Sequence, residues 1–207
     1  MSRPVRIVGL TGSIGMGKST AAHALRGLGI PVHDADAEVH RLLREDAATI
    51  RAVEAAFPGV VRDGAVDRAA LGRRVFGDPA ALKQLETILH PRVGEAEKRF
   101  LQRARIARAP VVVLDIPLLF ETGGDDRCDA VVVVSAPPFV QAGRVLHRPN
   151  MTRERLAAIL ARQMPDAQKR RRADFIIPTG LDRRTSLRAL ACVSKLLQRR
   201  VIRRRHA

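Results

Sequence analysis

Four near-continuous apolar runs punctuate an otherwise mixed chain: VRIVGL at 5–10, PVVVLDIP at 110–117, CDAVVVVSA at 128–136 and ADFIIPT at 173–179. Runs of this length without apolar–polar alternation predict strands covered on both faces, as in a parallel sheet. A shorter run, IPVHDAD at 30–36, predicts another strand, with acidic residues at its end. KSTAAHALRGL at 18–28 has helical spacing, and Gly29 is placed to stop that helix. The order strand, loop, helix, strand predicts a right-handed βαβ unit. The expected fold is therefore α/β: a doubly wound, mostly parallel five-stranded sheet.

Between about 37 and 108 the pattern changes. DAEVHRLLRED, ATIRAVEAAF, DRAALGRRVF, PAALKQLETIL and PRVGEAEKRFLQRARIA all carry helix-compatible spacing, and no convincing strand is found there. This predicts a core of 1–36, 110–147 and 173–207, and a helical, acceptor-binding insertion at 37–109. TRERLAAILARQM and PDAQKRRRAD supply a basic helical lid within 148–172. TSLRALACVSKLLQRRVIRRRHA predicts a last amphipathic helix with a cationic tail, Arg199–Arg205.

The loop after the first strand reads GLTGSIGMGKST (9–20), and Gly12-Ser13-Ile14-Gly15-Met16-Gly17-Lys18-Ser19 fits G-x-x-x-x-G-K-[ST]. Glycines let successive backbone N–H groups converge on phosphate oxygens, and the helix that follows adds its positive N-terminal end. Lys18 is expected to neutralise the outer phosphates and the Ser19 hydroxyl to ligate Mg²⁺, with Thr20 completing the loop. The bland alternative is a glycine turn before a helix. A strand before and a helix after favour a nucleotide cradle, so ATP is expected as co-substrate.

Charge changes this picture little. The net charge of +16 invites a nucleic-acid reading, but 32 of the 37 basic residues are arginine, Trp and Tyr are absent, and the six Phe are scattered. No aromatic stacking platform is visible, so nucleic acid is an unfavoured partner. A nucleic-acid-stimulated ATPase stays as the rival from another class. No run approaches the ~20 apolar residues of a membrane span, and the first residues, MSRPVRIVGLTG, lack the pattern of a secretory signal. Cys128 and Cys192 have no metal-ligand spacing. A cytoplasmic protein, monomeric or weakly associating, is expected. The Asn-Lys-x-Asp element of regulatory GTPases is missing. A compact core with an insertion and a basic lid suits a small-molecule kinase, which must keep water from bound ATP.

Several motifs together resemble the dephospho-coenzyme A kinase family: the glycine loop, HDAD at 33–36, LHP at 89–91, DIPLLFE at 115–121, RVLHR at 144–148, RQM at 162–164 and ADFII at 173–177. The resemblance spans nearly the whole chain. It implies phosphorylation of the ribose 3′-hydroxyl of dephospho-coenzyme A by ATP and Mg²⁺, the last step of coenzyme A synthesis. Another small P-loop kinase, acting on a nucleoside, a nucleotide or shikimate, is the nearest alternative. In one place the sequence departs from the family, which often carries an asparagine shortly after AD-x-x-I, where Pro178 and Thr179 stand here.

By resemblance Asp36 accepts the proton of the attacking hydroxyl, with Asp34 the weaker candidate. Placed at a strand end, Asp36 also suits the N-cap of the helix that follows. Asp115, after VVVL, has the pattern of a Walker B aspartate on Mg²⁺; a strand-end cap is its alternative. The resemblance suggests substrate contacts for His90 and Arg92. Arg144 and Arg148 lie four apart, so on a helix they share a face and could stabilise the transferring phosphoryl group, Arg148 by way of the nucleotide. Glu121 is open between a site carboxylate and a solvated helix start. Lys169–Arg172 reads mainly as surface charge.

Overall fold

The computed structural model describes residues 5–198. In chain order its elements begin β1 (Arg6–Thr11), α1 (Lys18–Gly27), β2 (Val32–Asp34), α2 (Ala35–Glu45) and α3 (Ala47–Ala56). There follow β3 (Val61–Arg62), β4 (Ala65–Val66), α4 (Arg68–Val75), α5 (Pro79–Ile106) and β5 (Val111–Asp115). The chain continues through β6 (Ala130–Ser135), α6 (Pro138–Leu146), α7 (Arg153–Ala161), α8 (Asp166–Arg172), β7 (Phe175–Pro178) and α9 (Arg183–Gln198). The cationic tail expected at Arg199–Arg205 lies outside the described residues.

Two compact units emerge. One runs to His33 and resumes at Ala104; the other covers Asp34–Arg103. The first holds a five-stranded sheet in the order β2-β5-β1-β6-β7, with β1 parallel to β5 and β6, and β6 parallel to β7. Strand alternation sends side chains to both faces. Val8, Leu10, Val111, Val113, Val132, Val134 and Ile177 pack with Leu25 of α1 and Leu190 and Leu197 of α9. Ile7, Val131 and Val133 face the other way, onto Leu119, Phe120, Cys128 and Met164. Apolar cover on both faces explains why these strands read as unbroken hydrophobic runs.

The second unit has its own core, built around Leu43, Val53, Phe57, Val60, Val66, Leu71, Leu85 and Leu89. Asp34, Asp46 and Asp67 cap α2, α3 and α4 through backbone N–H groups three residues on. Two expectations fail here. A hairpin, β3–β4, interrupts the helices: Asp63 and Gly64 both take positive φ, as a tight two-residue turn requires. The stretches on either side of LHP also form a single 28-residue helix, α5, with Pro91 inside it. Proline deprives the Thr87 carbonyl of its helical donor, and at the next carbonyl, that of Ile88, the Arg92 guanidinium donates at 2.6 Å, supporting the weakened turn.

Candidate active site

Parallel α/β sheets bind ligands at the carboxyl ends of their strands. Here β1 ends at Thr11 and runs into the glycine loop, β5 ends at Asp115, and β7 leads into Thr179. Packing fixes the loop's composition. A Cβ at Gly12 would stand 2.4 Å from Val134 Cγ2 and 2.7 Å from the Val134 carbonyl oxygen. Gly15 has φ +76° and lies against Val145 and Gln141 of α6, so both its conformation and its surroundings exclude a side chain.

α1 starts without a side-chain cap, after Gly17. The first α1 amide to bond back is Ala21, to the Gly17 carbonyl; the N–H groups of Lys18, Ser19 and Thr20 precede the helical ladder, as an anion site needs. Ile14 and Met16 differ from their neighbours. The Ile14 N–H donates to Gln163 Oε1 at 3.1 Å and the Met16 N–H to the Ser13 carbonyl at 3.1 Å. The Met16 side chain is buried in the core.

Lys18 Nζ lies 2.7 Å from Asp115 Oδ1, and the Asp115 side chain is only 1% exposed. The buried carboxylate thus holds the loop lysine in place. Asp115 and the Ser19 hydroxyl are hard oxygen donors of the kind Mg²⁺ takes alongside phosphate oxygens.

Around the far side of the loop, Gly15, Gly17, Thr20, Arg144, Arg148, Thr179 and Leu181 line a cleft of about 360 Å³. Arg144 donates to the Gly15 carbonyl and to both the hydroxyl and the carbonyl of Thr179. Arg144 lies on α6 and Arg148 beyond its end, so the two do not share a helix face, yet both line this cleft. α6 ends at Leu146, ahead of Arg148-Pro149, because a residue before proline is driven out of helical conformation. Thr179, 8% exposed, accepts from Arg144 and lies 2.7 Å from the Met16 carbonyl, to which its hydroxyl donates. Through this contact Thr179 braces the phosphate loop.

Asp34, not Asp36, is the N-cap of α2: its Oδ1 accepts from the Ala37 N–H at 2.9 Å. Asp36 is exposed in the first helical turn, displaced from the strand end because β2 stops two residues earlier. Asp36, His90 and Arg92 belong to the second unit, with His90 exposed on α5.

Lys169 is not surface charge. It is fully buried, with Nζ 2.8 Å from Glu121 Oε1, while Arg170, Arg171 and Arg172 are exposed. Glu121 is therefore not a solvated helix start: its carboxylate is paired with Lys169. Burial pulls its carboxyl up, but the bond to Lys169 and the Met164 N–H outweigh this and hold it below the usual carboxylate range.

With this geometry in place, comparison with known proteins is decisive. The dephospho-CoA kinase family model matches residues 6–181. The chain belongs to the dephospho-CoA kinase family. It is 69% identical over 166 residues to the dephospho-CoA kinase of Paramagnetospirillum magneticum, covering 80% of this chain and 78% of that one. It is 56% identical over 200 residues to that of Bradyrhizobium diazoefficiens, covering 95% of this chain and all of the relative. A crystal structure of a Thermus thermophilus protein superposes with a TM-score of 0.82 at 37% identity, covering 97% of this chain and 100% of that one. Among the described residues no helix is long and apolar enough to cross a membrane.

Sequence reasoning did not single out Gln141 or Gln163, and it named Thr179 only as a departure from the family pattern. Gln141 precedes Arg144 by one helical turn and shares its face, a spacing that could have singled it out. Gln163 sits inside the RQM motif.

Proposed function

We infer that this chain transfers the γ-phosphoryl group of ATP to the ribose 3′-hydroxyl of dephospho-coenzyme A, giving coenzyme A and ADP. The observation that carries the reading is the phosphate loop with its buried Lys18–Asp115 pair, inside a family match that runs almost the length of the chain.

Transfer forms a bond from the 3′-oxygen to the γ-phosphorus as the bond to the ADP oxygen breaks. Charge on the moving group spreads over its oxygens, so catalysis is mainly positioning and neutralisation. Gly12 to Thr20 cradle the phosphates. Lys18, anchored by Asp115, and Arg144, anchored on Thr179, supply positive charge. Arg148 lines the same cleft and meets the nucleotide. Ser19 and Asp115 would hold Mg²⁺, which would add charge neutralisation when bound. Asp36 accepts the hydroxyl proton. Asp34 Oδ1 is committed to capping α2, which favours Asp36 of the two. Exposed His90 and half-buried Arg92, which has one guanidinium nitrogen on the Ile88 carbonyl, bind the acceptor. The enzyme works as a monomer or weak oligomer in the cytoplasm.

An acceptor screen tests the reading. ADP release is measured with ATP and Mg²⁺ against dephospho-coenzyme A, shikimate, gluconate and nucleosides. Dephospho-coenzyme A is expected to exceed every other acceptor by at least about 100-fold in kcat/KM, on the order of the discrimination that hydrogen-bonded recognition provides. Equal or greater turnover with shikimate or a nucleoside would overturn the substrate assignment.

A further inference from the structure

One residue of the phosphate loop is gripped from both sides by glutamines. The Ile14 N–H donates to Gln163 Oε1 at 3.1 Å, and the Ile14 carbonyl accepts from Gln141 Nε2 at 2.7 Å. Each amide orientation is dictated by chemistry: a backbone N–H needs the glutamine oxygen, a carbonyl needs the nitrogen. Gln141 lies on α6, but Gln163 comes from the short link between α7 and α8, where a glutamine side chain would otherwise be poorly fixed.

That link is tied down just after Gln163. The next residue, Met164, donates its N–H to Glu121 Oε1 at 2.7 Å, and its side chain packs near Leu119 and Phe120. Asp166 accepts from Ser135 Oγ, at the end of β6, at 2.7 Å. Glu121 is held in turn by Lys169, which is 0% exposed and whose Nζ also reaches the Pro117 carbonyl at 3.3 Å. The Pro117 carbonyl accepts from Thr11 too, the last residue of β1 before the loop. A buried ion pair of this kind is weak evidence for stability in itself, and fixing a unique geometry is one use that can explain it.

We propose that Gln163 is a positioning residue for phosphoryl transfer: it sets the Ile14 peptide of the phosphate loop, and the Glu121–Lys169 pair sets Gln163. This deepens the kinase reading and rests on it. It gives three otherwise unassigned sequence features, the glutamate of PLLFE, the glutamine of RQM and a lysine inside a basic run, one joint task.

The test is Gln163→Met, which keeps length and loses the acceptor oxygen. A displacement of the loop of well under 1 Å is enough to impair in-line transfer. The expected result is a fall in kcat of about 10-fold or more, KM for dephospho-coenzyme A within about threefold, a Tm within about 2 °C, and a shifted Ile14 amide resonance. Lys169→Met, which removes the cation that holds Glu121, is expected to move kcat and the Ile14 resonance in the same direction. A Gln163→Met enzyme with kcat within about threefold of the parent overturns the proposal, as does a lower Tm with unaltered kcat. If the parent transfers nothing to dephospho-coenzyme A, the functional reading fails separately. The Ile14 resonance then decides alone, and an unmoved resonance overturns the proposal.

Discussion

Replacing Thr179 by valine isolates what its hydroxyl does. The two side chains have nearly the same shape, so the substitution exchanges an oxygen for a methyl. That oxygen lies 2.7 Å from the Met16 carbonyl and receives an Arg144 N–H at 3.4 Å. A carbon needs about 3.3 Å or more from a carbonyl oxygen. The Met16 peptide or the side chain must therefore retreat by about 0.6 Å, the difference between the two separations. Met16 stands between Gly15 and Gly17, so this shift falls inside the phosphate cradle. Misplacement near 1 Å costs on the order of 100-fold in rate, so kcat/KM should fall about 10- to 100-fold, or about 1.4–2.7 kcal/mol of transition-state stabilisation. Losing one buried hydrogen bond and a carbonyl's partner should cost about 1–3 kcal/mol of stability, lowering Tm by about 3–9 °C. Steady-state ADP release at 25 °C and a thermal melt measure the two effects. Thr179→Ser retains the oxygen and should stay within about threefold of the parent in kcat/KM. A valine enzyme that melts earlier but keeps its kcat/KM within threefold would refute the reasoning, since the threonine would then be holding the fold and not the loop.

Other consequences follow from the same geometry. Gly12→Ala places a Cβ 2.4 Å from Val134 Cγ2, and should lose ATP binding and melt well below the parent; Gly27→Ala, with open space around it, should be neutral or stabilising by up to about 1 kcal/mol. Lys169→Met leaves Glu121 largely buried without its cation and should cost about 3 kcal/mol in a denaturant titration. Because the Glu121 carboxyl is held below its usual 4.5, its stabilisation is present above that pH and is lost as pH falls through the lower folded-state value. The Tm difference between parent and Glu121→Gln should therefore be constant above about pH 5 and shrink below about pH 4.5. Asp36→Asn should lower kcat by about 100-fold while ATP affinity, measured by titration, stays within about twofold; unchanged kcat would remove it as the base.

Much of the fold is legible in the sequence because its strands are buried on both faces. Val111–Asp115 and Ala130–Ser135 announce themselves as unbroken apolar runs, and the glycine loop is marked by residues that only close packing explains. The β3–β4 hairpin was harder to see because two-residue strands carry almost no periodicity, although Asp63-Gly64 between short apolar flanks is a recognised turn signal. The stretches PAALKQLETIL and PRVGEAEKRFLQRARIA read as separate helix-compatible segments, yet α5 runs through Pro91, with Leu85 and Leu89 packed into the core of its unit. At the site, sequence spacing pointed to Lys18, Asp115 and Arg144. It could not show that Lys169 is buried, because a lysine beside three arginines looks like solvated charge until its partner Glu121, 48 positions earlier, is placed next to it. The cap exchange between Asp34 and Asp36 turned on where β2 stops, and strand ends are the least sharply encoded feature of a short run.

Movement of a phosphoryl group onto a ribose hydroxyl can be read from the product itself. The most direct measurement incubates the protein with ATP, Mg²⁺ and dephospho-coenzyme A and reads the product by mass and by ³¹P resonance. The account predicts a gain of one phosphate as a 3′-monoester, one ADP formed for each, and loss of both products in Lys18→Ala. An unmodified acceptor, with protein shown by titration to bind ATP, would contradict it.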